Sequence, residues 1–145
     1  VELASAMADG RLAKLGFVDL NRNFIADVGM SALAGALARG ALPQLSTLYM
    51  YSNRLADDGI VAFARALSTP AAGVAPPLAK LEKLWLYNNL IGDEGMRALA
   101  EATANGRLPA LKSLQLEGNQ AKQEAEAFFG GWRDRGVYGH GVDKI

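Results

Sequence analysis

The stretch Leu81 to Gly95 reads LEKLWLYNNLIGDEG, and its reading decides the fold. Leucines stand at 81, 84 and 86, and an asparagine follows at 89. In a strand, successive side chains point to opposite faces. If the leucines face a core, Trp85 and Tyr87 face the other way. The same ladder occurs three more times: LGFVDLNRNFI from Leu15, LSTLYMYSNRL from Leu45 and LKSLQLEGNQA from Leu111. All four fit L-x-x-[LV]-x-[LM]-x-x-N. The asparagines fall at 23, 53, 89 and 119, in steps of 30, 36 and 30 residues. Self-similarity at such a period marks a solenoid, whose units bury their apolar faces against one another. The segments that follow also align without a gap: IADVGMSALAGAL from Ile25, LADDGIVAFARAL from Leu55 and IGDEGMRALAEAT from Ile91. Their apolar residues recur at helical spacing.

These motifs resemble the ribonuclease-inhibitor type of leucine-rich repeat, in which each unit pairs one strand with one helix. The resemblance covers about residues 6–129. It implies an α/β fold, a right-handed solenoid bent into a horseshoe arc. Curvature also follows from spacing. Parallel strands lie about 4.8 Å apart, whereas packed helices need about 8–10 Å. The parallel sheet is therefore expected on the concave face and the helices on the convex face. One repeat domain over residues 1–145 is expected. It comprises a partial unit at 1–14, full repeats at 15–44, 45–80 and 81–110, a degenerate repeat at 111–129, and a cap or tail at 130–145. The scaffold leaves the partner open, because related folds carry unrelated functions.

Within the repeats, Met30, Leu33 and Ala36 are expected to face the sheet, as are Ile60, Phe63 and Ala66, and Met96, Leu99 and Ala102. Asp27, Asp57 and Asp93 are expected to cap the helices they begin. The glycines two residues on, Gly29, Gly59 and Gly95, suggest either close backbone approach or positive φ. Asn23, Asn53, Asn89 and Asn119 are expected to turn inward and bond the backbone of the next turn. The six extra residues of the long step lie in STPAAGVAPP, Ser68 to Pro77, an insertion whose closure entropy is small. In the fourth repeat Gln123 and Ala125 replace the aspartate and the glycine. The tail that follows fits no repeat, and Trp132, Val137 and Tyr138 are expected to cap the last turn.

The residues pointing away from the core form a stripe. In chain order they are Phe17, Asp19 and Asn21; Thr47, Tyr49 and Tyr51; Lys83, Trp85 and Tyr87; and Ser113, Gln115 and Glu117. In-register stacking sets Tyr49 beside Trp85 and Tyr51 beside Tyr87. Exposed rings rimmed by polar groups mark contact surfaces, and Tyr and Trp are enriched among binding anchors. A protein-binding set is expected at Phe17, Asp19, Tyr49, Tyr51, Lys83, Trp85, Tyr87, Gln115 and Glu117. The plainer reading is that aromatics are good strand formers that pack across neighbouring strands.

Composition narrows the class. The 145 residues are 50% hydrophobic, with 15 Lys plus Arg against 15 Asp plus Glu. Zero net charge argues against a nucleic-acid or anionic-membrane binder. The absence of cysteine excludes disulfides, thiol nucleophiles and thiolate metal sites. No Asn-x-Ser/Thr site occurs, and a cytoplasmic location is expected. No apolar run is long enough to span a bilayer. His140, the single histidine, has only Asp143 nearby, too few ligands for a metal. The reading is therefore a non-enzymatic scaffold without cofactor, binding another protein or peptide on its concave face. Self-association through an open N-terminal strand edge is a further expectation. Val1 falls inside a helix-like stretch, so a segment of a longer repeat protein is expected. The alternative, suggested by the same resemblance, is a regulator of an enzyme, such as a small-GTPase activator or the sensing part of a receptor. A GTPase activator would place polar residues on a rim to orient a substrate water, and Arg22, Arg54 and Asn88 are the candidates there.

Overall fold

The computed structural model describes residues 5–6, 9–122 and 128–129. The expectations for the first eight residues as a unit, for Gln123 and Ala125, for a capping tail with Trp132, Val137 and Tyr138, and for His140 and Asp143 lie outside the described residues. Strands and helices alternate: β1 (Phe17–Asp19), α1 (Ala26–Ala38), β2 (Thr47–Tyr49), α2 (Asp57–Ser68), β3 (Lys83–Trp85), α3 (Asp93–Ala104) and β4 (Ser113–Gln115). The strands form one sheet in chain order, and all three pairings are parallel. Helices α1, α2 and α3 pack in the same order. The chain is an α/β solenoid.

Its core is a stack of like side chains. Val18, Leu48, Leu84 and Leu114 share one register row and are buried. Met50, Leu86 and Leu116 form the next inward row. From the helices, Met30, Ile60 and Met96 are buried at one position, and Leu33, Phe63 and Leu99 at the next. Ala36, Ala66 and Ala102 are also buried, and their small side chains suit closely spaced helices. Each strand is three residues long, but pairing continues beyond it. The amide of Leu20 donates to Tyr49 O at 2.9 Å, Met50 to Trp85 O at 2.9 Å, and Leu86 to Gln115 O at 2.8 Å. Arg22, Ser52 and Asn88 donate in the same manner to the carbonyls of Tyr51, Tyr87 and Glu117.

The asparagines close the ladder. Asn53 and Asn89 are buried, and each is satisfied from several sides. Asn89 Oδ1 accepts the amides of Asn53 and Leu55, at 2.8 and 3.1 Å. Its Nδ2 donates to Met50 O at 3.0 Å and Leu86 O at 2.8 Å. Asn53 serves Asn23, Ile25 and Leu20 in the same way. Asn53, Asn89 and Asn119 thus bond the preceding turn and not, as the sequence suggests, the next one. Asn23 departs from the inward expectation. It is exposed, and its Nδ2 donates to Asn21 O within its own turn.

The aspartates correct the sequence reading. None of the three described helices has a side-chain hydrogen bond at its N-cap. The carboxylates reach into the next unit instead. Asp27 Oδ1 accepts Ala56 N at 2.8 Å, and Asp57 Oδ1 accepts Gly92 N at 2.7 Å and Gly95 N at 2.8 Å. Asp93 Oδ1 accepts Lys122 N at 2.8 Å. Each aspartate lies within the first turn of its own helix, too far along to cap it, and instead satisfies amides at the neighbour's N-terminal end. The repeated glycine then has a reason, and it is close approach. A Cβ on Gly59 would lie 2.4 Å from Asp27 Oδ1 and 3.1 Å from Asp27 Cα. A Cβ on Gly95 would lie 2.7 Å from Asp57 Oδ1.

The inserted loop after α2 folds back on the first repeat. Ala71 N donates to Ala38 O at 2.9 Å, satisfying a carbonyl at the end of α1. Val74 lies against Gly40, and Leu78 returns the chain to the core. Among the described residues, no helix is long and apolar enough to cross a membrane.

Candidate interaction face

Alternation puts the opposite edge of each strand on the open face of the sheet. β1, β2 and β3 show the pattern directly, with the central residue buried and its neighbours exposed or half-buried. The rows are set by register. Phe17, Thr47, Lys83 and Ser113 form one, and Asp19, Tyr49, Trp85 and Gln115 form another. Asn21, Tyr51, Tyr87 and Glu117 continue two residues further along each turn.

The rings meet. Tyr49 stacks on Trp85 with centroids 3.9 Å apart and planes 10° from parallel. Tyr51 stacks on Tyr87 at 4.3 Å and 13°. Trp85 and Tyr87 join the two stacks at 6.3 Å and 54°. Phe17 extends the first stack edge-on, 5.3 Å from Tyr49. All five rings therefore form one continuous surface. Trp85 is half-buried, and its Nε1–H donates to Ser113 Oγ at 3.3 Å. Phe17 is 53% exposed.

The polar positions surround the rings. Asp19 is exposed, and its carboxylate accepts the amide of Asn21 at 3.0 Å. Lys83 is exposed one row across from Trp85. Gln115 is the register partner of Trp85. Glu117 is half-buried, and its Oε1 is enclosed without a hydrogen-bond partner among the described residues. Burial holds the Tyr87 phenol above its usual range, the adjacent Tyr51 hydroxyl and the Glu117 charge act in the same direction, and the Arg22 guanidinium acts against them.

Sequence reasoning missed a second exposed group. Phe24 is 67% exposed, and the Arg54 guanidinium lies over its ring, 4.5 Å from the centroid. Val28 and Leu90 are exposed as well. Comparing repeats could have flagged Val28, because Asp58 and Glu94 hold its place in the next two units. The Phe24–Arg54 contact depends on backbone that the motif does not announce, since both residues have positive φ. Arg22, another rim arginine, lies over the Tyr51 ring at 5.8 Å. Both rim arginines thus rest on rings of this chain. No group of three His, Cys, Asp or Glu side chains among the described residues could hold a metal ion.

The comparisons fit this geometry. The family model described as "Leucine Rich repeat" matches residues 13–34 and 79–100, which span the strand and early helix of the first and third repeats. The match covers two of the four units and supports a leucine-rich repeat chain. Among solved structures it is similar in fold to "Leiomodin-1 Actin-Binding Site 2 (ABS2)", with a TM-score of 0.62 and 16% sequence identity. That match covers 86% of this chain and 64% of the other, so this chain spans less than two thirds of its neighbour's length. No curated protein sequence matches this one.

Proposed function

We propose that this chain is a non-enzymatic scaffold that binds a protein or peptide on the open face of its sheet. The reading rests on one observation, the continuous run of five rings on that face. Phe17, Tyr49, Tyr51, Trp85 and Tyr87 are the anchors, and Asp19, Lys83, Gln115 and Glu117 make the polar contacts around them. Rings that are half in and half out of water present large, rigid contact area at little further entropic cost. The similarity to an actin-binding segment supports a protein partner in general terms. The units of 30, 36 and 30 residues, each with its strand and a helix of 12 or 13 residues, support the ribonuclease-inhibitor type of repeat and a horseshoe arc with this face on its hollow side.

The four strands offer about a dozen side chains on this face, fewer than the 20–30 per side of a standard interface. A peptide or one prominent loop therefore fits better than a broad partner surface. The test is affinity capture with wild-type protein and Trp85→Ala. Loss of Trp85 is expected to weaken the captured complex about tenfold or more, about 1.4 kcal/mol. The same change removes a stacked pair and the bond to Ser113, so a drop of about 1–2 kcal/mol in folding stability accompanies it. Unchanged capture by a folded Trp85→Ala protein would show the stack to be purely structural.

A further inference from the structure

We propose that the end of the ring face toward the fourth repeat receives a cationic side chain, lysine or arginine, from the protein or peptide bound there. The inference rests on the scaffold reading above and names the chemistry of its partner.

Three observations converge on Tyr87 and Glu117. First, the row Asn21, Tyr51, Tyr87, Glu117 is already used as a seat for a cation at its other end. The Arg22 guanidinium lies over Tyr51, and Tyr51 stacks on Tyr87. The faces of these rings carry the negative lobe of the π-system, and a cation held over one is attracted to it. Second, Glu117 follows Tyr87 in that row, and its Oε1 is enclosed with no hydrogen bond among the described residues. That oxygen is out of a partner's reach, but Glu117 as a whole is half-buried, and a cation settling beside its carboxylate offsets the cost of the partly desolvated charge. Third, the ion pairs among the described residues are Arg11–Asp9 and Lys112–Glu82, and neither involves Glu117. Lys83, the cation nearest along the strand, lies in a different row, on the far side of Trp85.

A partner's ammonium or guanidinium at this point would meet a carboxylate and an aromatic face together. Aliphatic stems of lysine and arginine also pack well on rings. An acidic side chain there would meet Glu117 as a like charge and be rejected.

The experiment is an amide-correlation NMR titration of the full chain with three blocked tripeptides: Ala-Arg-Ala, Ala-Lys-Ala and Ala-norleucine-Ala. The basic peptides are expected to shift the Trp85 indole N–H and the Tyr87 amide, saturating on the order of 1 mM, the scale of a few kcal/mol. The norleucine peptide should leave them in place. Glu117→Gln, which keeps the side-chain shape, should weaken the basic peptides about tenfold. Rising salt should weaken them in the wild type too, a readout that needs no variant. The two basic arms tell ammonium from guanidinium. Equal response to norleucine, no response to either basic peptide, or affinity indifferent to both salt and Glu117→Gln overturns the cation seat. The scaffold reading fails separately, when Trp85→Ala leaves partner capture unchanged.

Discussion

At the scale of single residues, the glycines separate two roles that sequence alone confounds. Gly59 sits against Asp27, where an added methyl would lie 2.4 Å from a carboxylate oxygen that bonds Ala56 N. Gly35 also lies within a helix, but its nearest neighbour is the end of the Arg39 side chain at 3.5 Å. The pair makes a controlled comparison. Gly35→Ala is expected to stabilise by about 0.5–1 kcal/mol, through helix propensity and a less free unfolded chain. Gly59→Ala gains the same propensity but displaces Asp27, and a net loss of about 1–2 kcal/mol is expected. Urea denaturation of both variants checks the sign. Tyr87 gives a second prediction at this scale. Its phenol is raised, chiefly by burial. The folded state therefore holds that proton more tightly than the unfolded chain does. The resulting stability is intact below the unfolded value near pH 10 and is lost as pH climbs through the folded value. Ultraviolet titration should show one late-ionising tyrosine, absent from Tyr87→Phe. That variant should also lose stability less steeply above pH 10.

At the scale of elements, the joints between units were only partly legible. The repeating Leu, Asn, Asp and Gly columns were evident because a solenoid copies its contacts at a fixed period. Periodicity also places the ring stripe on one face, because Leu84 and Leu86 pin the phase of Trp85 and Tyr87. It cannot say which copy a side chain serves. Asp57 reads as a cap for its own helix, yet its carboxylate bonds Gly92 and Gly95 of the next unit. The enclosed oxygen of Glu117 and the Phe24–Arg54 contact depend on rotamers and on loop backbone, which leave no periodic trace. The asparagines carry the energetic consequence. Asn89→Ala strands the amides of Asn53 and Leu55 and the carbonyl of Met50, while Leu86 O keeps its bond from Asn119 Nδ2. A loss of about 2–4 kcal/mol is expected from several buried groups left unpaired. Asn23→Ala removes one exposed contact and should cost under about 1 kcal/mol. Thermal melts of the two variants compare them directly.

For the whole molecule, these joints govern cooperativity. A solenoid is held by neighbour contacts alone, so its unfolding reports how well adjacent units are coupled. Backbone, asparagine and aspartate bonds all cross from the second repeat to the third. Combining Asp57→Ala with Asn89→Ala removes the side-chain bonds of that joint while leaving the sheet pairing. The double variant is expected to unfold in two steps, or over a broader range of urea than wild type. Hydrogen exchange should then show the units on either side of the joint opening separately. A single sharp transition, with all amides protected alike, would mean that sheet and core couple the units without those polar bonds.

The aspartate of one unit and the bare glycines of the next act as a plug and its socket. The stretch 81–110 carries both halves, Asp93 facing forward and Gly92 with Gly95 facing back. A duplicate of that stretch spliced in after itself would therefore find a matching partner at each seam, and the array could grow by whole units. A unit that kept the carboxylate but gained a methyl at the glycine would accept a follower and refuse a predecessor. Such a copy could stand only at the front of the row.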